Sequence, residues 1–252
     1  SQIRWLGPEK GVTQMAAGAV VNAAWDLVTK FKKKPLWKFL SDLSPEEIVE
    51  LIDFRYITDA LTPDEALAIL RKAQPNRAAN EAQLIKEGLP AYTTTPGWLG
   101  YTDEKMVRLA KQAVADGYKL IKLKCGGNLE DDKRRLRLAR EAVGPDIKIS
   151  IDANQVWDVN QAIEWIKGIG DVNLHWVEEP VAAEDLQGHA QVRQAVSVNI
   201  QTGENWWFPR DAQRAISAGA TDLMMPDLMK IGGITGWLGA MGQAQAASIP
   251  MS

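Results

Sequence analysis

One cysteine, Cys125, and two histidines, His175 and His189, occur in this chain of 252 residues. A lone cysteine excludes an internal disulfide and fits a reducing, cytoplasmic setting. Two histidines leave almost no room for a His-rich metal or nucleophile site, so a metal here has to be held by oxygen. Positive charge is in short supply too. Twenty-nine Lys and Arg face 32 Asp and Glu, for a formal net charge of −3, which gives no basic field for nucleic acid. No apolar run approaches the roughly 20 residues that span a bilayer, so no membrane partner is expected. The opening stretch "SQIRWLGPEKG" carries neither a signal-peptide nor a transit-peptide pattern. What remains is ordinary: 46% hydrophobic and 24% charged residues, the composition of a soluble globular protein. The length suits one large α/β domain, or one domain with part of another.

The first 90 residues read as helices. Met15, Val20, Ala23, Ala24 and Leu27 fall at helical spacing in "GVTQMAAGAVVNAAWDLVTKF". "LTPDEALAILRKA" opens on a Thr-x-x-Glu pattern with Pro in its first turn, a helix-start signal. From Tyr92 the texture changes to short β-rich runs separated by amphipathic stretches such as "DEKMVRLAKQAVADG" and "DDKRRLRLAREAVG". The strand candidates are "YTTT" (92–95), "KLIKLK" (119–124), "IKISIDAN" (147–154), "HWVEEP" (175–180), "NIQTGEN" (199–205), "DLMMPD" (222–227) and "IPMS" (249–252). Strands recurring about every 25 residues with helices between them predict βα units and a parallel sheet. Of the two parallel architectures, the even rhythm and the lack of a Gly-rich phosphate loop after the first strand favour a barrel over an open doubly wound sheet.

A strand covered on both faces should be apolar nearly throughout, yet several of these carry polar residues at their C-terminal ends. In "IKISIDAN" Ile147, Ile149 and Ile151 share one face, suited to packing under helices, while Asp152 and Asn154 share the other. "KLIKLK" likewise sets Lys122 and Lys124 opposite Ile121 and Leu123. Glu178 and Glu204 end their strands, and Asp152, Glu178 and Glu204 follow one another at intervals of 26 residues, one βα unit each. That spacing predicts three carboxylates side by side on the rim where barrel active sites lie. Crowded carboxylates either hold raised pKa values or share a divalent cation, and oxygen ligands of this number suit Mg²⁺. Each acid taken singly also suits a cap on the following helix. Two inward ammonium groups need negative charge nearby. The carboxylates supply it, and crowding by a neighbouring cation lowers the pKa of one lysine towards that of a useful base.

The stretches "KLIKLKCGG", "IDANQVWDV", "WVEEPV", "QTGENW" and "MMPDLMKIGGITGW", in this order and spacing, resemble the enolase superfamily and its mandelate racemase-like branch. The resemblance implies a (β/α)₇β barrel of the TIM type, preceded by an α+β capping domain. Residues 1–90 would then be the helical remainder of the cap and its linker, and 91–252 a partial barrel that ends in strand 7. Asp152, Glu178 and Glu204 match the Mg²⁺ ligands. Lys122 and Lys124 match a Lys-x-Lys pair whose second member takes the proton alpha to a carboxylate. Asn154 matches a position near substrate and metal, and Asp227 the Asp of an Asp–His dyad. In this family the strand beginning "IPMS" continues to the dyad His, so the resemblance implies a chain short of that His, of the eighth strand and of the first cap strands.

"TQMAAGAVVNAAWDL", "IDFRYITDALT", "AYTTTPGWLGY" and "NLEDDKRRLRLAR" resemble acid-sugar dehydratases of the L-fuconate type. The first expectation is therefore a Mg²⁺-dependent dehydratase acting on a small sugar acid, homo-oligomeric at full length. The second is a racemase or epimerase of 2-hydroxy acids. The third is a non-catalytic fragment that keeps the fold. Trp98 follows a strand end and is a candidate pocket residue. Cys125 reads as a buried inert thiol, His175 and His189 as structural, and "KIGGITG" as a tight strand-to-helix turn.

Overall fold

The computed structural model describes residues 5–252, so the first four residues of the expected cap segment lie outside the described residues. The chain divides into two compact units. One gathers the described residues up to Gly88 with Gly203–Ser217 and Met224–Ser252; the other comprises Leu89–Thr202 and Ala218–Leu223.

The second unit is built from βα repeats. Helix α6 (Asp103–Ala115) leads to β1 (Leu120–Lys124), followed by α7 (Leu129–Val143), β2 (Lys148–Asp152), α8 (Val159–Gly168), β3 (Trp176–Glu178), α9 (Leu186–Ala195) and β4 (Asn199–Thr202). The chain goes on through α10 (Pro209–Ala218) to β5 (Leu223–Met224). The strands form one sheet in the order β1-β2-β3-β4-β5. The β1–β2, β2–β3 and β3–β4 pairings are parallel, which is what right-handed βα repeats produce. Ile121, Leu123, Ile149, Ile151, Val177 and Ile200 are fully buried in one core with Met106, Ala110, Leu136 and Ala139 of α6 and α7. The alternation of strand side chains sends Lys122, Lys124, Ser150 and Asp152 to the opposite face. Helix starts are marked in the sequence: Thr102, Asn128 and Asp158 each accept a hydrogen bond from the third residue of their helix.

Five of the seven expected strands are present. "YTTT" and "IPMS" contribute one isolated parallel bridge each, Thr93 to Ile121 and Met224 to Met251. The first is cut short because the Thr93 hydroxyl draws in the Thr95 N–H at 3.1 Å and turns the chain. In the second, Pro250 has no N–H to give to a ladder.

In the first unit, α1 (Val12–Phe31) is followed by α2 (Leu36–Asp42), α3 (Pro45–Glu50), α4 (Pro63–Ala73) and α5 (Arg77–Glu87), and α11 (Gly233–Ala246) packs back on α1. Both α3 and α4 open on a complete capping box with Pro in the first turn, Ser44 with Glu47 and Thr62 with Glu65. The α1 residues that mark helical spacing do not mark its buried side: Val20 and Leu27 are exposed, while Gln14, Gly18 and Thr29 are buried. Polar contacts and a close backbone approach hold α1 instead. Gln14 donates to the Trp207 carbonyl, Trp25 to the Thr235 hydroxyl, and Asn22 accepts from the Ile234 N–H. Among the described residues no helix is long and apolar enough to cross a membrane.

Candidate active site at the strand ends

The sheet register sets Lys124 opposite Asp152 and Asp152 opposite Glu178, so three of the singled-out residues occupy one row across β1, β2 and β3. Lys122 is one inward position earlier, opposite Ser150. Each is the last or next-to-last inward residue of its strand. Beyond them the chain turns into the βα loops, which is how a parallel sheet gathers polar groups at one end.

Lys122, Asp152 and Glu178 are buried. The Lys122 ammonium donates to both Glu178 carboxylate oxygens at 2.6 Å and lies 3.6 Å from Asp152 Oδ2. It also sits 5.2 Å from the centre of the Tyr92 ring, whose face favours a cation. Lys124, less buried, donates to Asp152 Oδ2. The other Asp152 oxygen accepts the Asn154 N–H at 2.8 Å. Asn154 takes a left-handed backbone conformation, φ 47°, and is exposed beside the carboxylate. Trp98, about half exposed, places its ring 5.7 Å from the Lys124 ammonium.

Burial first, and the neighbouring Asp152 charge second, push the Glu178 carboxyl up to about 8 in spite of Lys122. Burial pulls Lys122 down, but the Glu178 charge and hydrogen bond, with Tyr92 and Asp152, outweigh it and hold Lys122 above its ordinary value. Two buried carboxylates side by side make a place where added positive charge is favoured. They offer oxygens within 4.8 Å of one another. All the donors are hard carboxylate oxygens, with no imidazole or thiolate among them, a set that fits Mg²⁺ better than a softer metal.

Glu204 lies two residues past Thr202, the end of β4, in the other compact unit. There its Oε1 is 3.6 Å from the ammonium of Lys230, which donates to Asn205 Oδ1 at 3.0 Å. Asp227 follows β5, and its Oδ1 accepts the Met229 and Lys230 N–H groups, pinning the "KIGGITG" turn. Sequence reasoning gave Lys230 no role. Its one signal was a lone cation three residues after Asp227. Cys125 is buried in the core, and burial raises its thiol well above the ordinary value, as an inert thiol requires. His175 Nε2 faces Lys148 at 3.3 Å and His189 Nδ1 the Asp185 carbonyl at 2.9 Å.

Residues 105–252 match the family described as Enolase C-terminal domain-like. The chain belongs to the enolase superfamily. Its fold class is accordingly the TIM-barrel-type α/β of that superfamily's C-terminal domain. It is 42% identical to L-galactonate dehydratase of Hypocrea jecorina over an alignment covering 100% of this chain and 57% of that protein. The crystal structure of human mitochondrial enolase superfamily member 1 superposes with a TM-score of 0.96 at 40% identity, covering 99% of this chain and 57% of that one. An enolase from Bradyrhizobium, solved with magnesium and mandelic acid, has a TM-score of 0.76 at 35% identity and the same coverage. The chain thus spans a little over half the length of these superfamily members.

Proposed function

We propose that the protein acts as a Mg²⁺-dependent acid-sugar dehydratase, removing the proton alpha to a sugar carboxylate and expelling the beta hydroxyl to leave a 2-keto-3-deoxy acid. The observation that carries this reading is the row Lys124–Asp152–Glu178 at the strand ends, with Lys122 joined to both Glu178 oxygens. The similarity to L-galactonate dehydratase supports the substrate class.

Asp152, Glu178 and Glu204 would hold the cation, the third chosen because it repeats the 26-residue interval past the end of the next strand. When bound, Mg²⁺ supplies positive charge to the carboxylate end of the substrate as negative charge builds there. Lys124 is the base. It stands at the open end of β1, is less buried than Lys122, and has Trp98 and Asn154 beside it to bound a substrate. The alpha C–H bond breaks, its proton goes to Lys124 Nζ in its neutral amine form, and the electron pair delocalises into the substrate carboxylate. Lys122, held charged, steadies that negative charge electrostatically. Return of that pair breaks the beta C–O bond. The hydroxyl would leave as water with a proton from the dyad histidine, and the enol formed tautomerises to the 2-keto acid. Asp227 uses Oδ1 to hold its own turn, which leaves Oδ2 as the oxygen that would orient a histidine in an Asp–His dyad.

The test is proton exchange. Incubated with L-galactonate and Mg²⁺ in deuterated buffer, the chain should wash out the substrate's alpha proton, and Lys124→Ala should slow this about 10²–10⁴-fold, as loss of a positioned base does. Exchange that persists in Lys124→Ala would remove Lys124 from the role of base. A racemase or epimerase reading has support in the mandelic acid held by the Bradyrhizobium enolase. Product analysis separates the two, since inversion at the alpha carbon without a keto acid means racemisation.

A further inference from the structure

Arg135 lies in the second turn of α7 and is buried, although nothing in the proposed chemistry uses it. Its guanidinium spans two segments. Nη1 donates to the Lys124 carbonyl at 2.8 Å, and Nη2 donates to the Gly97 and Trp98 carbonyls at 3.1 and 3.3 Å. The Gly97 carbonyl in turn accepts the Lys124 N–H at 2.9 Å. The two segments are pressed together, for a Cβ at Gly97 would lie 2.2 Å from the Lys122 carbonyl oxygen. One turn earlier on α7, the buried Asp132 places Oδ1 3.6 Å from Arg135 Nη1. Its Oδ2 accepts the Gly126 N–H at 2.7 Å and the Trp165 indole N–H at 3.0 Å. A paired, buried Asp–Arg couple is thereby tied to the backbone on either side of Cys125.

We infer that Arg135 is a positioning residue that sets Lys124 and Trp98 relative to each other by holding both of their backbone carbonyls, with Asp132 fixing the guanidinium. This rests on the proposed role of Lys124 as base. The planar fork of Arg135 serves the two segments from two nitrogens held apart, whereas a Lys ammonium gathers its three donors on one nitrogen and does not match that spacing. Arg135→Lys keeps the charge and loses the fork, so it isolates geometry from charge.

The experiment uses the 252-residue chain labelled with ¹³C at lysine Cε, the Lys122 and Lys124 signals being assigned from Lys122→Arg and Lys124→Arg. Arg135→Lys should shift or broaden the Lys124 signal and leave that of Lys122 in place. It should also slow alpha-proton exchange about 10–100-fold at a KM within about twofold, the scale expected when a base is misplaced by an ångström or less. A residue that only stabilised the fold would lower the melting temperature and leave both lysine signals alone, and that result overturns the inference. Should Arg135→Lys fail to fold, Asp132→Asn is examined in the same way, and an unchanged Lys124 signal there overturns the inference equally. Absence of exchange in the wild-type chain would instead count against the proposed function, while a displaced Lys124 signal in Arg135→Lys would still uphold the positioning role.

Discussion

Lys122 is a charge that the interior tolerates only because of its partners. Both Glu178 oxygens bind it, Asp152 stands 3.6 Å away and the Tyr92 ring covers it. Removing the lysine would leave Glu178 buried without the ion pair that both its oxygens make, beside an Asp152 that keeps Lys124. Lys122→Met is therefore expected to cost about 3–5 kcal/mol of stability in metal-free buffer, the usual penalty for orphaning a buried charge. Urea unfolding of the variant measures it, and a loss below about 1 kcal/mol would mean that the pair is far better solvated than its burial implies. His189 poses the opposite case. Its Nδ1–H is committed to the Asp185 carbonyl, and Nε2 is buried with no hydrogen-bond partner among the described residues. Burial, opposed only in part by Asp185, lowers its pKa below the ordinary 6.5. The unfolded chain then binds the proton first as pH falls, so His189 contributes stability that is present above about pH 6.5 and lost as pH drops through the folded value. His175, lowered by burial and then by Lys148, acts in the same sense. Glu178, held up at about 8, acts in the opposite sense over this range, so the His189 contribution is read as a difference. Between pH 7.5 and 5.5 the unfolding free energy of the wild-type chain should fall relative to that of His189→Phe, and an identical pH dependence in the variant would refute the assignment.

At the scale of elements, α1 and α11 meet through small residues. A Cβ at Gly18 would stand 2.6 Å from the Met229 carbonyl oxygen, and one at Gly233 would stand 2.7 Å from Asn22 Oδ1. Gly18→Ala should consequently destabilise the chain by about 1–3 kcal/mol through overpacking, although alanine is the better helix former. A neutral or stabilising result in thermal unfolding would show that α1 can slide away from that carbonyl. This contact also marks where sequence reading runs out. The strands with inward Lys122, Lys124 and Asp152 were legible because a polar residue recurring in a buried strand has few innocent explanations. The buried side of α1 was not, since an apolar count selects Val20 and Leu27, while Gly18, Asn22 and Trp25 make the contacts with the α11 segment and its preceding turn. Arg135 escaped for a related reason. In "DDKRRLRLAREAVG" it is one of four arginines on a charged helix, and only the fold picks out the one that turns inward to the carbonyls of Gly97, Trp98 and Lys124.

For the molecule as a whole, the proposed cation site makes folding and metal binding one equilibrium. Its carboxylates arrive from successive strand ends, at 152, 178 and 204, and the unfolded chain has no means of bringing them together. Mg²⁺ that binds only the folded form must raise stability by RT ln(1 + [Mg²⁺]/Kd), about 2.7 kcal/mol at a hundredfold excess over Kd. The cation should also relieve the strain that holds Glu178 at about 8 in the metal-free protein. The expected outcome is a melting temperature that climbs with the logarithm of Mg²⁺ concentration and does not respond to K⁺ at matched ionic strength. Glu178→Gln and Glu204→Gln should each weaken the response at least about tenfold in concentration, because a hard cation of this kind is held chiefly by carboxylate charge. The two variants test different things. Glu178 stands in the row with Lys124 and Asp152, so a normal response in Glu178→Gln would remove the cation from the strand ends altogether. Glu204 enters by its interval in the sequence and is ion-paired with Lys230. A normal response in Glu204→Gln alone would leave the cation on Asp152 and Glu178 and give Glu204 to Lys230.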